Sequence, residues 1–292
     1  MSMASGDIVR PGGAGSKRLD RFRELVHEQT GIRLSAAKDQ MIESRLRRRL
    51  IALNLPDVDT YLAYVFEGGG MTSELGEIVD LLTTNKTDFF REIAHFDLLE
   101  RRIIPEALAV AGAGRQVRFR FWSAAASTGA EAWSAAMLLD RAAREDDRLR
   151  WAILGTDISN GVLASARKAV YPAADLAPVP GPLKTRYVMS GRGPAGEPLC
   201  RIVPELRARV RFERMNLTEF PYRIEEGVDV CFLRNVLIYF EPDLQRQVVA
   251  ACAGRLRPGG YLVVGHSESM IVRQPDLTQV VPGAFIKSGG KG

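Results

Sequence analysis

The sequence predicts an α/β protein, with an all-helical N-terminal domain followed by a domain built on a largely parallel sheet. Two observations predict it. Residues 17–90 carry apolar side chains at helical spacing throughout, whereas from about Arg115 short apolar strands alternate with helical stretches. The run from Arg118 to Asp157 then reads in order as strand, loop of small residues, helix, second strand and acid.

The chain begins with MSMASGDIVRPGGAGS, which has no apolar signal region and reads as a disordered tail over 1–16. Helices are expected over SKRLDRFRELVHEQTG and SAAKDQMIESRLRRRLIALN, then through Tyr61–Phe66 up to Gly68-Gly69-Gly70, then over ELGEIVDLLTTN. In the second of these, Ile42, Leu46, Leu50 and Leu53 make an apolar face. At about 100° per residue, Lys38, Arg45, Arg48 and Arg49 fall in one arc beside that face, and Arg47 points elsewhere. Residues 10–50 hold eleven Lys/Arg against five Asp/Glu, and residues 51–90 hold one against seven. So uneven a distribution suits a surface for an acidic partner better than a general nucleic-acid coat. Residues 17–90 are taken as the helical domain and 91–114 as a linker with a connecting helix.

In the sheet domain (115–292), aromatic side chains alternate with arginine from Arg118 to Trp122, as in a strand with two unlike faces. The loop from Ser123 to Gly129 holds only Ser, Ala, Thr and Gly, so a ligand can approach its backbone closely. A helix opening near Ala130 turns its unpaired N–H groups to that space. Asp157 ends the second strand, where a carboxylate can take both hydroxyls of a ribose. The loop lacks G-x-G-x-x-G and offers no cradle for a pyrophosphate. A nucleoside site without phosphate chemistry points to S-adenosylmethionine. A helix from Ser159 to Val170 follows, then strands RVRFERM, VDVCFLR and YLVVG, a helix from Glu241 to Leu256 between the last two, and an edge strand near Ala284–Lys287. Seven of the fifteen prolines lie between Tyr171 and Pro204, too many for a crossover helix, and a small excursion with strands at TRYVMS and LCRIV is expected.

Composition narrows the class. At 292 residues, 46% hydrophobic and 26% charged, the chain has the make-up of a soluble globular protein, expected in the cytoplasm and without membrane insertion. Cys200, Cys231 and Cys252 read as buried free thiols, and neither they nor His27, His95 and His266 show metal-ligand spacing, so no metal is expected. In TTNKTDFFRE (Thr83–Glu92), Asn85, Thr87 and Arg91 could face a ligand, or Asn85 or Thr87 could cap a helix. Arg234 ends a strand, where a buried guanidinium is costly unless paired, which favours a site there. Gly265-His266-Ser267-Glu268-Ser269 lacks the closing glycine of a nucleophile elbow, and Ser267 and Glu268 read as turn residues.

TTNKTDFFRE, WSAAASTGAEAWS, ILGTDIS, Asn216-Leu217, LRNVLIYF and PGGYLVVGHSES occur in the order found in CheR-type chemotaxis receptor methyltransferases, which the chain resembles from about residue 17 onward. The resemblance implies an S-adenosylmethionine-dependent protein-glutamate O-methyltransferase of chemoreceptors. It also implies a Rossmann-like catalytic domain with an inserted β-subdomain, at about 178–210. Matched residue by residue, it implies cofactor contacts at Asn85, Thr87, Arg91, Glu131, Asp157, Asn216, Leu217, Arg234 and Asn235, with Arg91 and Tyr239 nearest the methyl group. Departures are few: Gly129-Ala130-Glu131 stands for the usual Gly-Glu-Glu, Leu233 for a frequent cysteine, and Thr218 for a frequent leucine. The strip Lys38, Arg45, Arg48 and Arg49 would dock on the cytoplasmic helical region of receptors, and the β-subdomain on a receptor C-terminal tail peptide. Alternative readings are a nucleic-acid methyltransferase, suggested by the pI of about 9.2, and a non-catalytic S-adenosylmethionine-binding scaffold. The first lacks an Asn/Asp-Pro-Pro-aromatic loop, and retention of Asn85, Arg91, Asp157, Arg234 and Tyr239 argues against the second.

Overall fold

A computed structural model describes residues 13–83 and 85–289, and the chain divides into two compact units, Met1–Leu82 and Thr83–Gly292. The tail expected over 1–16 lies outside the described residues as far as residue 12, and a helix is already under way at Gly13. The division falls after Leu82, earlier than the expected residue 90. The segment 91–114 is part of the second unit and helical for most of its length.

The first unit is four helices: α1 (Gly13–Thr30), α2 (Asp39–Leu53), α3 (Val58–Phe66) and α4 (Met71–Leu82). Their apolar stripes meet in one core of Phe22, Val26, Ile42, Leu46, Tyr61, Leu62, Val65, Ile78 and Leu82. Turn chemistry sets the ends. Asn54 closes α2 in the left-handed region, and the Asp57 carboxylate caps α3 by accepting the Thr60 N–H at 2.8 Å. The basic strip is only partly a surface. The Arg49 guanidinium donates two bonds, of 2.6 and 2.7 Å, to the fully buried carboxylate of Glu74, which also accepts the Tyr61 hydroxyl. Arg45 donates to the Leu82 carbonyl at the end of α4. Both arginines therefore bind their own domain, and losing Arg49 would strand a buried charge at a cost of about 3–5 kcal/mol. Lys38 sits in a short 3-10 turn (Ala36–Lys38) ahead of α2; it and Arg48 are exposed.

The second unit opens with α5 (Ile93–Leu98), a π-helical stretch (Leu99–Ile103) and α6 (Ile104–Ala111), then β1 (Val117–Ser123), α7 (Ala130–Glu145), β2 (Leu149–Asp157) and α8 (Asn160–Lys168). The proline-rich excursion comprises β3 (Val170–Pro172), α9 (Gly181–Tyr187), β4 (Val188–Arg192), β5 (Pro198–Ile202) and α10 (Pro204–Arg207). It starts eight positions earlier than expected, because Val170–Pro172 pairs with β5 into a three-stranded sheet of order β3-β5-β4. The chain then returns through β6 (Val210–Arg214), β7 (Val228–Leu233), α11 (Pro242–Arg255), β8 (Leu256–Val264), β9 (Leu277–Val281) and β10 (Ala284–Lys287).

The main sheet has the order β6-β2-β1-β7-β8-β10-β9, parallel from β6 to β8, with antiparallel β10 and β9 at one edge. Strand alternation puts Phe119 and Phe121 into the core on one face and Trp122 into the core on the other. The direction of winding reverses beside β1, which lies between β2 and β7. Ligands of such sheets bind outside the carboxyl ends of the strands at that switch point.

Candidate functional site

Three strand ends meet there: Ser123 on β1, Asp157 on β2 and, one residue past β7, Arg234. The small-residue loop is pinned by neighbouring strands, with the Ala124 N–H on the Phe232 carbonyl and the Ala126 N–H on the Thr156 carbonyl, both at 2.8 Å. Its size is dictated by packing. A Cβ on Gly129, which has a φ of 89°, would come within 3.0 Å of Trp133, Ala166 and Phe212.

Asp157 organises this loop. One carboxylate oxygen accepts the Ser127 N–H at 2.8 Å and the other the Ser159 N–H at 3.0 Å. An acid at this place, at the carboxyl end of the second strand of a parallel sheet, fits a ligand that brings two hydroxyls. Ser127, with a φ of 49°, donates its hydroxyl to the Asn85 carbonyl and so ties the loop to the segment ahead of Arg91. No helix starts at Asn85 or Thr87. Residues 85–88 have no regular structure, the next helix begins at Ile93, and the capping alternative falls away. Asn216 and Leu217 follow β6 and are nearly buried; the Asn216 side chain bonds Thr218 and Glu219, and the Leu217 carbonyl accepts the Tyr222 hydroxyl.

Arg234 is paired inside the protein. Its guanidinium is 2.9 Å from one Glu131 oxygen and 3.4 Å from Glu92, and it donates to the Arg91 carbonyl. The other Glu131 oxygen accepts the Ser123 hydroxyl at 2.6 Å. Burial pushes the Glu131 carboxyl up, against the charge of Arg234. Of the two residues expected to touch a cofactor here, each therefore spends much of its bonding capacity on the other. The guanidinium also fixes the backbone that presents Arg91, whose own side chain is half-buried and donates to the Lys86 carbonyl.

Asn235, at a φ of 58°, and a 3-10 turn over Leu237–Tyr239 carry the chain from Arg234 to the half-buried Tyr239. The sequence reading missed two acids that hold this stretch. Glu92 accepts from the Asn235 side chain (3.2 Å) and the His266 N–H (3.2 Å). Glu268, read from the sequence as a turn residue, is fully buried and bonds the backbone of the same stretch. Only their adjacency to the motifs Phe-Phe-Arg and Gly-His-Ser signalled them. The fold also brings His95 and His266 together beside Glu92, with ring centroids 4.8 Å apart, although sequence spacing gave no sign of it. Both Glu92 oxygens already accept hydrogen bonds.

Two family models cover the chain. The model described as "CheR methyltransferase, all-alpha domain" matches residues 17–83, and "CheR methyltransferase, SAM binding domain" matches residues 85–285. Among characterised relatives, the chain is 40% identical over 252 residues to Chemotaxis protein methyltransferase 2 of Pseudomonas aeruginosa, covering 86% of each chain. It is 37% identical to the Chemotaxis protein methyltransferase of Salmonella typhimurium over 88% of this chain and 86% of that one. With that of Borreliella burgdorferi the identity is 31% over 92% and 94%.

The core of this site carries a pH dependence. His95 is 1% exposed, and burial, with the nearby charge of Arg234, lowers its pKa to about 4. An unfolded histidine titrates at about 6.5, so between those values the unfolded chain binds the extra proton. The stability contributed by keeping His95 neutral is complete above pH 6.5 and is lost as pH falls towards 4, by about 3 kcal/mol in all. Denaturant midpoints of the second unit should therefore fall over that window, and His95→Phe, in a pocket shared with Phe96 and Phe232, should flatten the fall. An equally steep fall in the variant would mean that other groups carry it.

Proposed function

The chain belongs to the CheR methyltransferase family and is an S-adenosylmethionine-dependent methyltransferase of chemotaxis; from that premise we propose that its substrates are glutamate side chains in the cytoplasmic helical region of chemoreceptors. The observation that carries the reading is the convergence, at the carboxyl ends of β1, β2 and β7, of the loop held by Asp157 with the segments bearing Arg91 and Tyr239.

Asp157 takes the ribose hydroxyls while its bonds to Ser127 and Ser159 keep the loop open. Asn85, Thr87, Asn216, Leu217 and Asn235 line the rest of the cofactor site, and Glu131 and Arg234 form its charged floor. S-adenosylmethionine, when bound, supplies a methyl group made electrophilic by its sulfonium. A glutamate acceptor, with a pKa of about 4.3, is ionised at neutral pH, so no side chain of the enzyme has to act as base. Arg91 orients the incoming carboxylate and Tyr239 shares that task through its hydroxyl. The arginine's hold must stay loose, because tight ground-state pairing would slow transfer. Catalysis is then alignment and exclusion of water, a source of up to roughly 7–11 kcal/mol.

Labelled methyl groups should pass to receptor-containing membranes and be released by mild base as methanol. Asp157→Asn, which keeps the volume of the side chain, should weaken S-adenosylhomocysteine binding by about 1.5–3 kcal/mol, or roughly 10- to 150-fold. Unchanged calorimetric affinity in a folded variant would place the nucleoside elsewhere.

Receptor docking falls to Lys38 and Arg48, the members of the basic strip that face solvent. The double variant Lys38→Ala/Arg48→Ala should methylate receptors several-fold more slowly in low salt, and added salt should erase the difference. A normal rate in low salt would leave the strip a solvated edge.

The three-stranded sheet supports a second contact. Its exposed strand β4 is an edge, with Arg186 just ahead of it and Arg201 opposite Met189 on β5, and can pair with an extended peptide whose terminal carboxylate the arginines hold. Tethering would raise the local concentration of enzyme at neighbouring receptors. Receptor C-terminal tail peptides should shift fluorescence polarisation at micromolar concentrations, and the absence of binding at high micromolar levels would remove the tether while leaving the methyltransferase intact.

A further inference from the structure

Glu268 stands apart from the other acids of the second unit. It is 0% exposed, yet no Lys, Arg or His lies within ion-pair distance of it among the described residues. Burial holds its carboxyl above the ordinary range, against the backbone N–H groups that surround it. An ionised or neutral carboxyl in such a place is costly unless its oxygens are fully engaged. They are engaged by main chain alone: the Asn235 N–H at 2.7 Å, the Gly265 N–H at 2.8 Å and the Ile238 N–H at 3.3 Å.

Two of these donors belong to the stretch between Arg234 and Tyr239, which is otherwise held through the Asn235 side chain on Glu92 and through the Leu237 and Phe240 carbonyls, which accept from Gln245. Asn235 is held in the left-handed region, and the 3-10 turn of Leu237–Tyr239 is one turn long. The third donor, Gly265, follows β8. A Cβ there would come 2.6 Å from the Asn235 side-chain nitrogen and 2.8 Å from a Glu268 oxygen, so the two loops touch with no room between them. We infer that Glu268 is a positioning residue for methyl transfer, its carboxylate folding the loop after β7 around itself and thereby setting where Tyr239 stands. The inference rests on the role given to Tyr239 above.

The test is a double-mutant cycle on receptor methylation. Glu268→Gln keeps the shape but turns an amide N–H donor on a ring of N–H donors, and should lower kcat by between about ten- and a hundred-fold, the cost of displacing a reacting group by roughly 1 Å. Because Glu268 acts through Tyr239, the same change in a Tyr239→Phe background should cost less than about threefold more. A full, additive loss in that background, or a normal rate in Glu268→Gln alone, would overturn the inference. A general structural defect would move thermal stability without this non-additivity. Should Glu268→Gln fail to fold, Gly265→Ala strains the same contact from the other side and takes its place in the cycle. A second readout does not depend on turnover: the Tyr239 ring resonances should shift in the folded variant without substrate. Unmoved resonances would sink the positioning role whatever the rate, whereas a wild-type enzyme that transfers no methyl to receptors counts against the substrate assignment and leaves this readout standing.

Discussion

A single guanidinium, buried between two carboxylates, sets the geometry on which the second unit's chemistry rests. Arg234 meets Glu131 on one side and Glu92 on the other, and its remaining reach goes to the Arg91 carbonyl. Placing three charges in a poorly solvated interior is expensive, and a pair of that kind stabilises little compared with apolar residues of the same size. Its value is geometric. A fork of N–H donors has narrow angular tolerance, so the segment carrying Arg91 is fixed against the end of β7 and against the first turn of α7. The site is a joint between loops that would otherwise be independent.

That joint also accounts for the acids around it. Glu92 continues the network from Arg234 to the Asn235 amide and the His266 backbone. Burial works to raise its pKa, yet the Asn235 bond and the charge of Arg234 prevail and keep its carboxyl low. Glu131 lies deeper, and there burial prevails. Two carboxylates on one cation thus differ in character because they differ in solvation.

Legibility in the sequence followed the range of the interactions concerned. Asp157 and the loop from Ser123 to Gly129 were visible because strand, turn and acid lie close along the chain and each carries a local signature. The excursion over Val170–Arg207 was visible as a surplus of prolines, but α9 was not: Pro182 stands in its first turn, where a proline starts a helix and does not break one. β9 carries no clear strand signal because LTQVV breaks its apolar run with Thr278 and Gln279 and lies at the sheet edge. Glu92 and Glu268 were missed for a more general reason. Their partners are backbone amides or side chains far along the chain, and such partners impose no spacing on neighbouring residues. Arg45 and Arg49 show the converse error. Helical geometry placed them on one arc correctly, but could not say that α4 would present Glu74 and a helix end to receive them.

The separations bridged by the joint bear on how the protein comes to be active during its synthesis. Arg234 and Asn235 reach back 143 residues to Arg91 and Glu92, and His266 reaches back 174. Contacts between such distant residues form only after the intervening chain has been ordered, and they are the slow part of folding a parallel sheet. A ribosome-bound chain that has emerged only as far as α8 carries the loop residues and Asp157, but neither the β7 carbonyl that pins the loop nor the guanidinium that joins it to the segment of Arg91. The joint therefore closes only once the last third of the chain, which supplies Arg234, Asn235 and His266, is in place.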